Sequence, residues 1–344
     1  MNRPGAAAVL AAIITAFILP WPCSAFPFFS SARPVVVKLP ANVSSEEIQQ
    51  ALDNLPAAGG EIVLPEGEFQ ILQPIVLKRS HQTLRGAGDG TILRLAADAN
   101  CPVIIMGEPV NDPRHTLKHL CVRDLFIDGN RRLQQRELWR LTGEGSQIRN
   151  NGITVQGISD SLVEHVTCAD CRSGGLVTTR DVRRLTVRGL TAFDNEFDGL
   201  ACYQTERCLF TDLYLHDNPS AGISLDLAFN HNVISNAVLV ANDLGVFMRA
   251  SRDNQFWNVS IRNCHHYGVF MAHTMTRTAK GWGQEPQTAC TDNAFTNLNA
   301  ANCGGPAFRV NNVTCTNNVI IRPMFAGNRR GGLSLARPNL VTVQ

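Results

Sequence analysis

The chain has 344 residues, of which 44% are apolar, 17% charged and 7% aromatic, with a formal charge of +2. That is ample material for a large core, with no block of like charge, which excludes disorder, collagen and a small disulfide scaffold. The 31 basic residues are spread along the chain and form no stripe, so no nucleic-acid partner is expected. One or two domains fit this length. With so few charges, uncharged polar residues must cover much of the surface.

The N-terminus reads as an export signal. Arg3 opens a short basic region, Ala6 to Leu19 is apolar, Pro20 and Pro22 break the run, and Cys23-Ser24-Ala25 supplies small residues for cleavage. Residues 1–25 are therefore expected to be removed after Ala25, leaving a secreted or periplasmic protein. The apolar run falls short of the roughly 20 residues needed to span a bilayer, so no stable membrane span is expected. Ten cysteines follow, and an exported chain permits disulfides. Cys168-x-x-Cys171 lacks a second CxxC or a paired His spacing, so a structural role is expected for it. The pairing is left open.

Residues 44–55 form an amphipathic helix in this reading. Ser44 and Glu47 make a capping box, Val43 and Ile48 a hydrophobic staple, and Ile48, Ala51, Leu52 and Leu55 one apolar stripe. Such a helix suits the end of a solenoid, which needs a cap. Gly59-Gly60 then turns the chain into the short strand Glu61 to Leu64, and Pro65-Glu66-Gly67 turns it again.

From 152 to 268 the chain repeats. Glycine followed by an aliphatic residue recurs at Gly152, Gly175, Gly199, Gly222, Gly245 and Gly268, at steps of 23 or 24 residues. Polar corners precede the glycines at Asp194-Asn195, Asp217-Asn218, Asn242-Asp243 and Asn263-Cys264, and short alternating strands lie between. A unit this small cannot bury its inward side chains alone, whereas stacked copies can, so the reading is a parallel β-helix. Glycine and Asn/Asp are expected at its corners because they tolerate positive φ. Insertions near 129–150 and 273–292 interrupt the period. They carry Arg131, Arg132, Arg136, Trp139, Arg140, Lys280 and Trp282, which suit an acidic sugar chain.

The entry segment Gly60-Glu-Ile-Val-Leu-Pro-Glu-Gly-Glu-Phe69, Leu84-Arg-Gly-Ala-Gly88 and the repeats together resemble the pectate-lyase superfamily over residues 36–340. The resemblance implies an all-β fold, a right-handed parallel β-helix with an N-terminal capping helix, as one domain over 36–344. It also implies a link to polysaccharide lyases, glycoside hydrolases and uronate epimerases, along with noncatalytic members and tailspike-like adhesins. The chain lacks the Asn-Thr-Asp, Gly-His-Gly and Arg-Ile-Lys set of polygalacturonases, the Asp-Pro-His of alginate epimerases, and the segment typical of calcium-dependent pectate lyases. No catalytic residue is therefore carried over by motif.

Alignment of the units on their glycines gives a candidate site. In the strand after each glycine the first and third residues should point inward and the second and fourth outward. The fourth-position column reads Gln156, Thr179, Tyr203, Asp226, Arg249 and Ala272, with His273 next. Tyr203, Asp226 and Arg249 are the expected catalytic residues: a phenol, a carboxylate and a guanidinium on consecutive coils. A surface ion pair between coils is the alternative for Asp226 and Arg249. Glu196, Asp198, His273 and Trp282 are the expected substrate-binding residues, with a turn residue before the repeat glycine as the other reading of Asp198. No metal site is required by spacing, although Glu196, Asp198 and Asp226 could together hold Ca²⁺. The expectation is a monomer that binds an acidic polysaccharide and cleaves it by β-elimination. A glycoside hydrolase, a uronate epimerase and a noncatalytic glycan-binding protein are the alternatives.

Overall fold

Why the chain closes into a solenoid is visible first at its cap. The computed structural model describes residues 35–135, 148–274 and 288–344. The helix runs Ser45–Asp53, and its capping box is formed: the Ser44 hydroxyl accepts from the Glu47 amide at 3.2 Å, and the Glu47 carboxylate accepts from the Ser44 amide at 2.7 Å. Ile48 and Leu52 are fully buried against the first coil. At the other end the helix leaves carbonyls without intrahelical donors. Arg79 supplies them, its guanidinium donating to the carbonyls of Leu52, Asp53 and Leu55 at 2.8 to 2.9 Å.

Among the described residues, 28 strands join into one hydrogen-bonded system in which the strand pairings are parallel. Each coil contributes in turn to three sheets. The first contains Leu200–Tyr203, Ala221–Asp226, Leu244–Arg249 and Val269–Ala272. The second is short, with Thr205–Glu206, Phe229–Asn230 and Ser251–Arg252. The third holds Leu209–His216, Val233–Val240 and Gln255–Arg262. Register turns scattered apolar residues into continuous ladders. Leu200, Ile223, Val246, Val269 and Phe308 are successive partners in the first sheet, and Phe210, Ile234, Phe256, Phe295 and Ile320 in the third. Phe256 and Phe295 stack at 4.2 Å between ring centres. No coil could bury these side chains by itself, so stability resides in the contacts between coils.

The repeat glycines are not there for positive φ, contrary to the expectation from sequence. None of the six has a positive φ. Each lies instead against the carbonyl of its counterpart in the next coil. A Cβ would stand 2.7 Å from the Gly175 oxygen at Gly152, 2.5 Å from the Gly268 oxygen at Gly245, and 2.3 Å from the Ala307 oxygen at Gly268. Positive φ belongs to the corner residues just before, Asp194, Asp217, Ala241 and Asn263.

The residue after each of those corners builds a second device. Asn195, Asn218 and Asn242 are fully buried. The side-chain carbonyl of each accepts the backbone amide of the preceding rung, from Cys171, Asn195 and Asn218, at 3.0 to 3.2 Å. A second ladder at the corner before the third sheet runs Cys208, Asn232, Asn254, Asn293 and Asn318, with amide-to-carbonyl distances of 2.8 to 3.1 Å. The asparagine NH₂ groups donate to main-chain carbonyls of the neighbouring coil, Thr205 for Asn232 and Phe229 for Asn254, both at 2.9 Å. Corner backbone groups that water cannot reach are thereby satisfied.

Candidate functional site

The first sheet brings the expected column together. Tyr203 and Asp226 are register partners on adjacent strands, and Arg249 pairs with Ala272 one coil further. The Arg249 guanidinium forms an ion pair with the Asp226 carboxylate and lies over the Phe247 ring at 5.3 Å. At the start of the column the Thr179 hydroxyl donates to the Gln156 side-chain carbonyl at 2.9 Å, and the Gln156 NH₂ donates to the carbonyls of Glu108 and Val110.

This outer face is buried at Asp198, Tyr203 and Asp226, while the Arg249 side chain stays 25% exposed. Asp226 is 1% exposed, Tyr203 8% and Asp198 9%. Val177, Ala201, Tyr203 and Leu227 form a small apolar cluster separate from the interior core. Outward residues on a solvated sheet would be wet, so burial here marks a covered surface with ionisable groups beneath it.

Asp198 joins the group from the corner before Gly199. Its carboxylate accepts the Ala221 amide at 2.9 Å, which fixes its place between two coils. Burial pushes its carboxyl above the usual range, against the pull of the Ser220 hydroxyl and Ala221 amide and of the Arg149 and Arg249 charges. Burial likewise raises the Tyr203 phenol, with Asp198 and Asp226 adding to the effect and Arg149 and Arg249 opposing it. Arg149 is thus a member that sequence reasoning did not single out. It is 8% exposed and lies over the Phe197 ring at 5.0 Å. Its only sequence signal is its place at the end of the first insertion, three residues before Gly152.

The remaining expected residues separate from this group. Glu196 pairs with Arg172 on the corner. Among the described residues no three His, Cys, Asp or Glu side chains converge on a common point, so the Ca²⁺ set of Glu196, Asp198 and Asp226 is not assembled. His273 follows the strand Val269–Ala272, half-buried, its Nδ1 3.5 Å from the Thr314 hydroxyl. Trp282 lies outside the described residues, as do Arg136, Trp139, Arg140 and Lys280. A cavity of about 340 Å³ opens elsewhere, at the corner lined by Arg131, Arg132, Asp170, Phe193 and Asp194. Arg131 there is paired to Asp170 at 2.8 Å.

Coils of this kind, with ladders inside and ionisable groups gathered on one outer face, define a right-handed parallel β-helix of the pectin-lyase-like class. A family model described as periplasmic copper-binding protein (NosD) matches residues 126–330, more than half of the chain, and the chain belongs to that family. Solved structures agree on the fold. The family 28 exopolygalacturonase of Yersinia enterocolitica superposes with a TM-score of 0.58 at 15% identity, covering 92% of this chain and 79% of that one. ORF18 of Geobacillus virus E2 gives 0.60 at 16% identity and 86% coverage, and the N-terminal fragment of bacteriophage phi29 gene product 12 gives 0.61 at 15% and 88%. The chain spans 58% of the length of the first of these viral proteins and 53% of the second. No curated protein sequence matches.

The family description raises copper, and the donor set tests it. Several histidines sit beside carboxylates, as His115 beside Glu108 and His266 beside Asp243, each at 2.5 Å, and His81 stacks on His119 at 4.9 Å with no third donor converging on them. Eight of the ten described cysteines are buried, with Cys168, Cys171, Cys202, Cys290 and Cys315 at 0% exposure, and the two half-buried ones, Cys101 and Cys121, belong to no group of three donors. The described residues therefore do not make the open, convergent set of soft donors or imidazoles that a copper centre of three or more ligands needs.

Proposed function

We propose that the outer face of the first sheet is a polysaccharide site, and that the chain is exported, with residues 1–25 removed, and acts there as a monomer that cleaves a glycosidic bond. One observation carries this reading. Ionisable groups from consecutive coils, Asp198, Tyr203, Asp226 and Arg249, together with Arg149, gather under one covered face, where a purely structural sheet would place apolar or solvated side chains. Buried ionisable groups of this kind cluster at functional sites.

The chemistry follows from the environments. Asp198, held toward its neutral form by burial, suits protonation of a leaving oxygen, and the ion-paired Asp226 supplies the second carboxylate that hydrolysis requires. Arg249 and Arg149 supply positive charge for an acidic sugar. That charge favours a second reading, β-elimination, in which an arginine neutralises the substrate carboxylate and the Tyr203 phenol, kept protonated by burial, donates to the leaving group. Copper takes no part in this scheme.

A panel of uronate and neutral polysaccharides tests the proposal, with ultraviolet absorbance for unsaturated ends and a reducing-end assay read together. New reducing ends without unsaturation support hydrolysis, and unsaturated product supports elimination. Binding without either product across the panel overturns cleavage and leaves a glycan-binding protein. Activity unchanged in both Asp198→Asn and Asp226→Asn would remove the site.

A further inference from the structure

The cysteines that the sequence could not pair are paired in space at one place in the solenoid. In the first asparagine ladder, register carries Asn242 to Cys264 and Cys264 to Cys303, so two consecutive rungs are cysteines. The ladder resumes at Asn328, whose side chain accepts the Cys303 amide at 3.0 Å. At a second corner Cys290 and Cys315 face each other. The Cys290 amide lies 3.4 Å from the Cys315 sulfur, and both thiols point at one acceptor, the Ala272 carbonyl, at 3.7 and 3.6 Å. All four are buried.

Both pairs join the same two coils. The earlier coil is the one that carries the insertion near 273–292, and it lies between Cys264 and Cys290. The later coil lies between Cys303 and Cys315. Strand neighbours in a solenoid stand about 4.8 Å apart, inside the Cα range that a disulfide accepts. The ten cysteines of the described residues are thiols in this structure.

We propose that Cys264 with Cys303, and Cys290 with Cys315, are oxidised to two disulfides that staple the interrupted coil to the coil after it. Each bond removes two protons and two electrons from a pair of thiols. The electrons go to the disulfide of an oxidised thiol–disulfide exchange partner, which leaves as a dithiol. One thiolate of the pair attacks the partner's disulfide to give a mixed disulfide, and the second thiolate then attacks the protein sulfur and expels the partner. Because all four thiols are sealed in the finished solenoid, oxidation precedes closure of these coils. The proposal needs an oxidising compartment and is independent of the reaction at the first sheet.

The test uses the full chain with its own leader, exported to a periplasm and denatured directly into a maleimide before any reductant is added. Digestion without reduction should give peptides linking 264 to 303 and 290 to 315, with these four sulfurs unalkylated. Reduction of the intact protein should lower its thermal midpoint by roughly 5 °C. A variant with all four cysteines changed to Ala should show no such shift. Alkylation of the four residues in the unreduced sample overturns the proposal. So does their protection by stoichiometric copper that a Cu(I) chelator removes, since two thiolates then hold a soft metal ion instead.

Discussion

Replacing the repeat glycines one at a time separates close approach from backbone conformation as the reason they are glycine. At Gly245 an added methyl would stand 2.5 Å from both the Gly268 oxygen and Ile261 Cγ2, and at Gly268 it would stand 2.3 Å from the Ala307 oxygen. Ordinary contact begins near 3.4 Å, so adjacent coils must part by close to 1 Å, against backbone at Gly268 and against both backbone and the fully buried Ile261 at Gly245. Overpacking of that kind costs about 1–3 kcal/mol, offset by the 0.4–1 kcal/mol that alanine gains by restricting the unfolded chain. A net loss of about 1–2 kcal/mol is expected for Gly245→Ala and Gly268→Ala. Gly199 is roomier, with its nearest atoms at 3.0 to 3.2 Å, and its alanine should cost no more than about 1 kcal/mol. Gly331 is the reverse case: φ is +82° and nothing lies within 4 Å, so Gly331→Asn should be tolerated better than Gly331→Ala. Urea unfolding followed by circular dichroism reads all of these. Equal losses along the column, or rescue of Gly245 by Asn, would refute the close-approach account.

Three further outcomes are expected. Arg249→Met should destabilise by about 2–4 kcal/mol because it removes the guanidinium paired with the buried Asp226 carboxylate, which also accepts the Leu227 amide, and Asp226→Asn in the same chain should recover at least half of that; additive losses in a double-mutant cycle would show the pair to be uncoupled. Asp198 has a folded-state pKa raised above its ordinary value of 3.8, so its contribution favours folding below that value and is lost as pH rises through the folded pKa. Asp198→Asn, which keeps the acceptor for the Ala221 amide, should therefore be more stable than the parent at pH 7, with the advantage gone below about pH 3.8; urea midpoints across pH check this. Asn254→Ala leaves the Asn232 amide and the Phe229 carbonyl buried without their partners and should cost about 2–4 kcal/mol in the same unfolding assay.

The solenoid was legible because its period is written in residues that have no substitute: at Gly245 or Gly268 any side chain strikes the next coil. The reason for the glycines was misread, since sequence shows the residue and not the carbonyl opposite it. The first asparagine column is visible in sequence as polar corners, but sequence alone presents those corners as turn chemistry. Asn242 shows the difference, because the left-handed residue there is Ala241 and the asparagine faces inward. The second ladder went unseen because the step from Asn254 to Asn293 is 39 residues where the others are 22 to 25. At the site, strand alternation was enough to align Tyr203, Asp226 and Arg249. Arg149 could not be placed, since it arrives from an insertion with no period, and neither could the separation of Glu196, which depends on Arg172 one coil away.

That long step makes the second ladder more than a device for satisfying amides. Asn254 meets Asn293 across the interruption at 3.1 Å, the same spacing found where no residues intervene. The ladder acts as a ratchet that re-zeroes the coil after each circuit, indifferent to how much chain was spent on the way round. Scaffold and loop are thereby uncoupled: a segment on the outer face can be lengthened, shortened or exchanged without the rungs above and below losing step. A fold with this property can change what it recognises by editing loops alone, and the same rungs mark the positions at which foreign loops could be grafted into this chain.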